Sequence, residues 1–325
     1  MNIYKNKKVL VTGGTGLIGI PLVNLLLKKK AIITIASLDS KNRAPKNCRF
    51  VKTDLTELSN CMKVCKGQDF VFNLVGIKGS PDMAKRKPAS FMTPTVMFSV
   101  NMIEAARRCK VKRFMFTSSI GVYAPSKVFC EEDVWKTFPS ENDKFAGWAK
   151  RISELLIESF KIQYNLENFY IVRPANVYGP GDNFDKNNAM VVPSLINRAF
   201  SGENPLKVWG DGSAVRDIVY SEDVAKAIIK IMENKNYGPI NIGSGKGVSI
   251  KQIAETIVKL IPESKIKIQW DTTKPTGDKI RVMSIKKAKK LNVHCKTNLT
   301  KGIKKTIIWF RKNKKNIDNR HNQFI

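Results

Sequence analysis

A glycine-rich segment near the start of the chain has the residue types and spacing of a phosphate-binding loop. It reads Thr-Gly-Gly-Thr-Gly-Leu-Ile-Gly from Thr12 to Gly19, directly after a short apolar run. Glycines allow a tight turn and a close approach of the backbone to a pyrophosphate, and a following helix supplies free N–H groups. A glycine pattern alone also fits an ordinary turn, but a strand before it and a helix after it favour a dinucleotide site. The predicted contacts are Gly13, Thr15, Gly16, Leu17, Ile18 and Gly19.

The residues that would meet the adenosine half of a dinucleotide follow the second and third strand-like runs. NAD sites usually place a carboxylate at the end of the second strand, but this position is Ser37, and Arg43 follows it. This pattern favours NADP over NAD, although Asp39 could still serve NAD. Asp54 and Leu55 would contact the adenine, and Asp54 could equally be a helix N-cap.

Strand-like and helix-like segments alternate through the first half of the chain, which predicts a parallel sheet with crossover helices. The predicted strands are Val9–Thr12, Ile32–Ala36, Phe50–Val51, Asp69–Leu74, Arg113–Thr117 and Phe169–Val172. The predicted helices are Leu17–Lys29, Pro94–Cys109 and Lys144–Tyr164. We therefore predict a Rossmann-type doubly wound α/β fold. Its dinucleotide-binding domain would cover residues 1–175 with a return segment near 216–242, and a smaller mixed α/β substrate domain would cover 176–325.

Three further segments share their pattern with a known family. They are Thr117–Tyr123, which has two serines after a strand, Gly147–Lys150, which reads Gly-Trp-Ala-Lys, and Arg173–Pro180. With the glycine loop, they resemble the extended short-chain dehydrogenase/reductase family of nucleotide-sugar epimerases, dehydratases and reductases, over nearly the whole chain. The segments most similar to GDP-L-fucose synthases and their relatives are Asn176–Phe184, Val191–Ile196, Val208–Gly210, Arg216–Asp217 and Asp271–Gly277.

The resemblance implies a catalytic set of a hydroxyl, a lysine and a tyrosine. Ser119 would contact a sugar oxygen, and Lys150 would hold the nicotinamide ribose and lower the pKa of the tyrosine. The position of that tyrosine is Ala146, which cannot transfer a proton. Either the alanine is engineered, or another group or a water is the base, or the protein binds nucleotide without turnover. Tyr123 and Tyr178 are the nearest substitutes in sequence, and both also fit packing roles.

Departures from the family pattern narrow the predicted reaction. Ile120 and Gly121 stand where dehydratases carry an Asp-Glu pair, and Gly121 and Met190 stand where fucose synthases carry a cysteine and a histidine. The reactions that these departures leave open are oxidation, reduction or epimerisation at one carbinol, commonly C4.

The cofactor contacts that the resemblance adds are Leu74, Val75, Asn101, Thr117, Lys150, Pro174, Asn176 and Val177.

A nucleoside-diphosphate sugar is the predicted substrate, and buried diphosphates are held by arginine side chains. Three arginines occupy positions where the family binds the diphosphate or nucleoside; outside that context each would be a solvated surface residue. Asp271 resembles the acid that recognises the nucleoside in GDP-sugar enzymes, so a GDP-sugar is favoured. The predicted substrate contacts are Ser119, Asn176, Val192, Arg198, Trp209, Arg216, Asp271 and Arg281.

Composition limits the other classes of function. The chain of 325 residues has only two histidines, which argues against a histidine metal site or a Ser-His-Asp triad. Its formal charge is +30. Most of this charge comes from lysines spread along the whole chain. A lysine-rich proteome is the simpler explanation of the charge, so nucleic acid binding is disfavoured. The alternative is a catalytically impaired family member that binds NAD(P) and a nucleic acid or protein partner.

The cysteines, the apolar runs and the two longest helices predict the setting of the protein. Six scattered cysteines favour reduced thiols in a cytoplasm, and no apolar run is long enough to cross a bilayer. Members of the family commonly dimerise through two long helices, which would be Pro94–Cys109 and Lys144–Tyr164 here. A stripe of Leu156, Phe160 and Tyr164 fits either such an interface or the core.

Overall fold

The computed structural model describes residues 2–185, 188–235, 238–261, 265–274, 276–314 and 321. The strands, in chain order, are β1 (Lys8–Thr12), β2 (Ile32–Ser37), β3 (Arg49–Lys52), β4 (Phe70–Asn73), β5 (Arg113–Thr117), β6 (Phe169–Pro174), β7 (Asn176–Tyr178), β8 (Leu206–Trp209), β9 (Val215–Arg216), β10 (Ile218–Tyr220), β11 (Ile240–Ile242), β12 (Val248–Ser249), β13 (Ile268–Asp271) and β14 (Ile280–Arg281). The helices are α1 (Gly19–Lys28), α2 (Leu58–Cys65), α3 (Pro81–Arg86), α4 (Pro88–Arg108), α5 (Lys144–Tyr164), α6 (Val191–Phe200), α7 (Ser221–Glu233), α8 (Ile250–Lys259), α9 (Lys286–Lys290) and α10 (Leu299–Asn313).

Seven parallel strands form the main sheet, in the order β3-β2-β1-β4-β5-β6-β11. Strand β1 pairs with both β2 and β4, so the strand order reverses between β1 and β4. In open α/β sheets, ligands bind at the carboxyl ends of the strands beside such a reversal. Strand β11, which comes from the predicted return segment, pairs with β6 at the other edge. The predicted Rossmann-type fold class is confirmed.

Helices cover both faces of this sheet because successive strand side chains point to opposite faces. In β1, Val9 and Val11 join the core beneath α1 and α7, whereas Leu10 joins the core beneath α2, α4 and α5. All three side chains are fully buried. An apolar run without polar alternation is the pattern expected of a strand that is covered on both faces.

The later part of the chain builds small sheets around a third core. Strand β7 pairs with β10, β8 pairs with β13, and β9 lies between β12 and β14. Helices α6, α8 and α10 pack around Phe184, Ile196, Ile257 and Phe310, which are all buried. Among the described residues, no helix is long and apolar enough to cross a membrane.

Two details differ from the sequence-based expectation. Helix α4 begins at Pro88 rather than Pro94, because Pro88 already supplies a first-turn proline and Pro94 is accommodated inside the helix. Leu156 and Phe160 pack against the core between the sheet and α5, so most of the predicted stripe is interior. The lysine-rich C-terminal segment from Lys301 to Lys315 is described as far as residue 314, and Lys315 lies outside the described residues.

Candidate active site

The glycine loop between β1 and α1 is closely packed against the segment after β4. Gly13 has a φ of +64°, and a Cβ on it would lie 3.1 Å from the Leu74 carbonyl oxygen and 3.2 Å from the Val75 nitrogen. A Cβ on Gly19 would collide with the Gly13 carbonyl oxygen. The structure therefore brings Gly13, Leu74 and Val75 together, as predicted for one end of a dinucleotide site.

Several buried polar atoms at the carboxyl ends of β4 and β5 fit a bound dinucleotide. Thr12 Oγ1 donates to Asn73 Oδ1 at 2.6 Å. Within the described residues, Asn73 Nδ2, Thr117 Oγ1 and Ser118 Oγ are buried without a hydrogen-bond partner. Because buried polar groups are ordinarily paired, these atoms and the glycine loop fit a polar ligand that lies across the switch point.

A carboxylate lies after β2, where the adenosine half of the dinucleotide is predicted to bind. Thr15 Oγ1 lies 2.9 Å from Ser37 Oγ and donates to Asp39 Oδ2 at 2.7 Å. The Arg43 Nε lies 3.7 Å from the same oxygen, and the main-chain N–H of His321 donates to Asp39 Oδ1 at 2.8 Å. Ser37, Asp39 and Arg43 are thus neighbours beside Thr15 of the glycine loop.

The loop after β3 is held by local hydrogen bonds. Asp54 Oδ1 accepts from the Thr56 main-chain N–H at 2.9 Å and from its hydroxyl at 2.8 Å. Helix α2 begins at Leu58 with Glu57 as its N-cap, so the N-cap interpretation of Asp54 is wrong. Asn101 on α4 donates to the Thr56 carbonyl oxygen at 2.7 Å, and this bond fixes the loop that carries the predicted adenine contacts.

Ser119 and Lys150 both lie at the carboxyl end of β5. Ser119 Oγ accepts from the Gly121 N–H at 3.0 Å, which leaves its own hydroxyl hydrogen for a ligand. Lys150 Nζ donates to the Thr117 carbonyl oxygen at 2.9 Å and lies 4.8 Å from the centre of the Phe116 ring. Burial lowers the pKa of Lys150 to about 8, and the charge of Glu154 opposes this shift.

Helix α5 carries position 146 one turn before Lys150. Its first turn packs on the loop that contains Ser119, because a Cβ on Gly147 would collide with the Gly121 carbonyl oxygen. The two candidate substitutes for a tyrosine are engaged in the core. The Tyr123 hydroxyl donates to Asn241 Oδ1 at 2.7 Å, Tyr178 packs in the third core, and burial raises the pKa of both phenols.

Two of the three predicted diphosphate arginines lie side by side. Arg216 on β9 and Arg281 on β14 are register partners in a parallel pair, so their side chains emerge on the same face. Burial and the charge of Arg281 lower the pKa of Arg216 to about 10. Arg216 donates to the Thr276 carbonyl oxygen at 2.8 Å, and Arg281 Nη2 donates to the Ile120 carbonyl oxygen at 3.4 Å. Arg281 therefore reaches the loop that carries Ser119, with Arg216 beside it.

The structure gives the other predicted substrate residues different surroundings. Trp209 and Asp271 are register partners at the ends of β8 and β13, and Trp209 is 45% exposed. Asn176 donates from Nδ2 to the Asp217 carbonyl oxygen at 3.0 Å. Arg198 instead pairs with Glu203 at the end of α6, with 2.7 Å between its Nε and Oε2. Val192 is buried in the third core.

Sequence reasoning missed two acidic residues of this site. The Asp143 Oδ2 lies 2.5 Å from Arg281 Nη2, and Asp278 Oδ2 lies 3.7 Å from Arg281 Nε. Asp143 is the N-cap residue of α5, three positions before Ala146 and seven before Lys150. This closeness in sequence to the Gly-Trp-Ala-Lys segment was the available signal for Asp143.

Comparisons with known proteins agree with this geometry. The family model described as NAD dependent epimerase/dehydratase family matches residues 9–243. The chain belongs to this family. The match confirms the predicted resemblance and the prediction of an NAD(P)-dependent enzyme, and it does not favour the non-catalytic alternative.

Within the described residues, no group of three or more His, Cys, Asp and Glu side chains could hold a metal ion.

Relatives of this epimerase/dehydratase family member cover almost its full length. The chain is 26% identical to a dTDP-4-dehydro-6-deoxy-D-allose reductase of a Streptomyces species over 96% of this chain and 98% of that protein. It is 28% identical to the GDP-L-fucose synthase of Sinorhizobium fredii, with coverage of 94% and 96%. The solved structure of the epimerase Mth375 from Methanothermobacter thermautotrophicus matches with a TM-score of 0.88 and 26% identity, covering 97% of this chain and 95% of that one.

The packing of the glycine loop generates a prediction for Gly13→Ala. A Cβ there would press on the Leu74 carbonyl oxygen, so we expect NAD(P)H to bind at least about tenfold more weakly, as followed by cofactor fluorescence. Gly67→Ala is the matched control, because Gly67 has a similar φ of +72° but open space around it. Equal cofactor affinity in the two variants would contradict this account of the loop.

Proposed function

We propose that the protein oxidises, reduces or epimerises a nucleoside-diphosphate sugar at C4, for the synthesis of a glycan in the cytoplasm. The dinucleotide would bind at the carboxyl ends of the main sheet, within residues 1–175 and the return segment. The sugar nucleotide would bind mainly through residues 176–325. Six free cysteines support a reducing compartment.

The observation that carries this proposal is the arginine pair beside the Ser119 loop. Two neighbouring guanidinium groups with restricted solvent access repel each other, and a diphosphate offers each of them charged oxygens. Arg216 and Arg281 have this arrangement; Asp143 and Asp278 both pair with Arg281, and within the described residues no carboxylate forms an ion pair with Arg216. A sugar attached to a diphosphate held there would extend toward Ser119 and the end of β5.

A GDP-sugar is the favoured nucleotide in this proposal. The exposed indole of Trp209 offers a stacking surface for a base, and Asp271 lies beside it at the end of β13. The similarity to a GDP-L-fucose synthase supports guanine as the base. Because the chain is also similar to a dTDP-sugar reductase, dTDP-sugars are the first alternative to compare with GDP-sugars in a binding assay.

The proposed roles of the remaining residues follow from their positions. The cofactor supplies hydride transfer when it is bound. Lys150 would donate to the nicotinamide ribose from the end of α5, Thr117 and Asn73 would bind the cofactor with their buried polar atoms, and Ser119 would donate its hydroxyl to the sugar oxygen. Asn176, Val177 and Pro174 would line the cleft at the end of β6.

The arginine pair generates the test of this function. Arg216→Ala should weaken binding of a GDP-sugar by about tenfold or more in isothermal titration, because a charge-assisted hydrogen bond to phosphate is lost. Arg49→Ala is the control, since Arg49 is exposed at the amino end of β3, opposite the site. If GDP-, UDP- and dTDP-sugars all fail to bind the wild-type protein, the proposed function is wrong.

The preferred dinucleotide is proposed from the adenosine end of the cleft. The sequence favoured NADP because Ser37 stands at the end of β2, but Asp39 fills the space between Ser37, Thr15 and Arg43. A carboxylate there would accept hydrogen bonds from ribose hydroxyls and repel a 2′-phosphate. It also pairs with Arg43, the cation that would otherwise bind a 2′-phosphate. We therefore propose NAD as the cofactor.

Asp39→Asn tests this cofactor preference. Removal of the charge should shift the ratio of NAD to NADP affinity toward NADP by about tenfold, because the repulsion of the 2′-phosphate is lost and Arg43 is released. Both affinities are measured on each protein, so the ratio corrects for any general loss of binding. A wild-type protein that prefers NADP, or a ratio that does not change, would show that Asp39 does not select the cofactor.

A homodimer through α4 and α5 is the last part of the proposal. Both helices present exposed apolar side chains, and Ile152, Leu155 and Ile162 on α5 recur at helical spacing. Met97 on α4 and Tyr164 at the end of α5 are exposed as well. In a two-fold symmetric dimer, α4 and α5 of each copy would cover the exposed apolar face of the other copy.

Ile162→Asp tests the dimer. Ile162 is 81% exposed, so a charge there should leave the fold intact and halve the mass measured by light scattering at micromolar concentration. Ile308→Asp is the control, because Ile308 is also exposed but lies on α10. A wild-type protein that is monomeric at this concentration would refute the interface.

A further inference from the structure

Asp143 stands at the N-cap of α5 but does not cap the helix. Aspartate at this position ordinarily accepts from an N–H of the first turn. Within the described residues, the Asp143 side chain makes no such hydrogen bond. Its carboxylate is instead 28% exposed and paired with Arg281. The side chain is therefore diverted from a local role in the helix toward the substrate cleft.

The carboxylate of Asp143 lies against the loop that carries Ser119. A Cβ on Gly121 would be 3.3 Å from Asp143 Cγ and 3.5 Å from its Oδ1. The Arg281 Nη2 that pairs with Asp143 also donates to the carbonyl oxygen of Ile120. Asp143 thus lies between the proposed contact for the sugar oxygen and the proposed contact for the diphosphate, which is the interval that a bound sugar would span.

We propose that Asp143 is the proton-transfer group that replaces the tyrosine missing at position 146. This inference rests on the proposed function. Asp143 is the N-cap residue of α5, three positions before Ala146, and Lys150 lies one turn after Ala146. The end of the helix that carries the tyrosine and lysine in the family therefore also carries a carboxylate here, and Ala146, which has no acid/base group, stands between that carboxylate and Lys150 in the sequence.

The step balances with the groups already described. In the oxidative direction, the C4–H bond breaks, its hydride passes to the nicotinamide, and a C=O bond forms. The hydroxyl proton goes to a carboxylate oxygen of Asp143, and NAD(P)⁺ becomes NAD(P)H. In the reductive direction, the protonated carboxyl returns that proton to the alkoxide oxygen as hydride arrives at carbon. Ser119 would orient the same oxygen in both directions.

The other titratable groups near position 146 are committed elsewhere. Lys150 Nζ donates to the Thr117 carbonyl oxygen, on the side of the cleft proposed for the ribose. The Tyr123 and Tyr178 phenols are buried in the core. Asp278 Oδ1 accepts from Ser140 Oγ at 2.8 Å and Asn142 Nδ2 at 2.9 Å, so these hydrogen bonds hold its carboxylate against residues 140–142. These positions leave Asp143 as the acid/base group that faces the sugar.

The test compares wild type, Asp143→Asn, Ala146→Tyr and the double variant on the sugar nucleotide that the titration identifies. Asp143→Asn should lower kcat by about 100-fold or more, the usual effect of removing a general acid/base. Its affinity for the sugar nucleotide, measured calorimetrically, should stay within about threefold, because asparagine keeps the shape of the side chain. The double variant should recover at least about tenfold in kcat, since the phenol supplies the proton-transfer group again.

A pH profile separates proton transfer from a structural role. With the phenol as base, the acidic limb of the oxidation rate should move upward by more than about 2 pH units relative to wild type, because a phenol loses its proton at higher pH than a carboxyl. Arg281 and Asp278 face Asp143 in both proteins. Glu141→Gln is the control, since this carboxylate is exposed two residues away, and its kcat should equal that of wild type.

The outcomes distinguish this inference from the proposed function. If wild type binds and converts the sugar nucleotide and Asp143→Asn keeps its kcat, Asp143 is not the base and the function stands. If the double variant binds the sugar nucleotide but recovers no activity, the lost step is not proton transfer, and the inference is again overturned. If wild type binds no sugar nucleotide, the proposed function fails and the role of Asp143 fails with it.

Discussion

The buried ion pair between Arg173 and Glu154 is the constraint on which the rest of the site depends. Both side chains are almost fully buried, and the Arg173 Nη2 lies 2.6 Å from Glu154 Oε2. Burial alone would lower the pKa of Arg173, but the hydrogen bonds and charge of Glu154 raise it instead. The guanidinium also donates to the Tyr123 hydroxyl and the Glu131 carbonyl oxygen. Because a buried charge without its partner is strongly unfavourable, β6 and α5 must meet in this one arrangement.

This arrangement positions the active site. Lys150 lies one turn before Glu154 on α5, so the ion pair fixes how far Lys150 reaches toward the end of β5. Arg151, the next residue, donates to the Val122 carbonyl oxygen at 2.9 Å and 2.6 Å, which holds the Ser119 loop against the same helix. The hydrogen-bonded network of Arg173, Glu154 and Arg151 is buried inside the protein. The groups that face the cleft are those proposed to bind ligands.

The arginines show how much of the site could be read from sequence. The sequence predicted Arg198, Arg216 and Arg281 on equal terms, because each follows a motif shared with the family. The structure places Arg216 and Arg281 together through strand pairing, whereas Arg198 pairs with Glu203 only five residues away. Partner choice depends on which strands become neighbours, and a motif does not report it. Asp143 was missed for the same reason, since its partner Arg281 lies 138 residues further along the chain.

The sequence by itself determined the fold class, the strands of the main sheet as far as β6, and the glycine loop. These follow from short-range patterns, because apolar runs specify covered strands and the glycines specify a turn that only a small residue fits. Tertiary structure decided where α4 begins, which arginines meet, and that the Asp143 carboxylate faces the cleft rather than its own helix. These outcomes depend on burial and on charges from distant segments, which no local spacing contains.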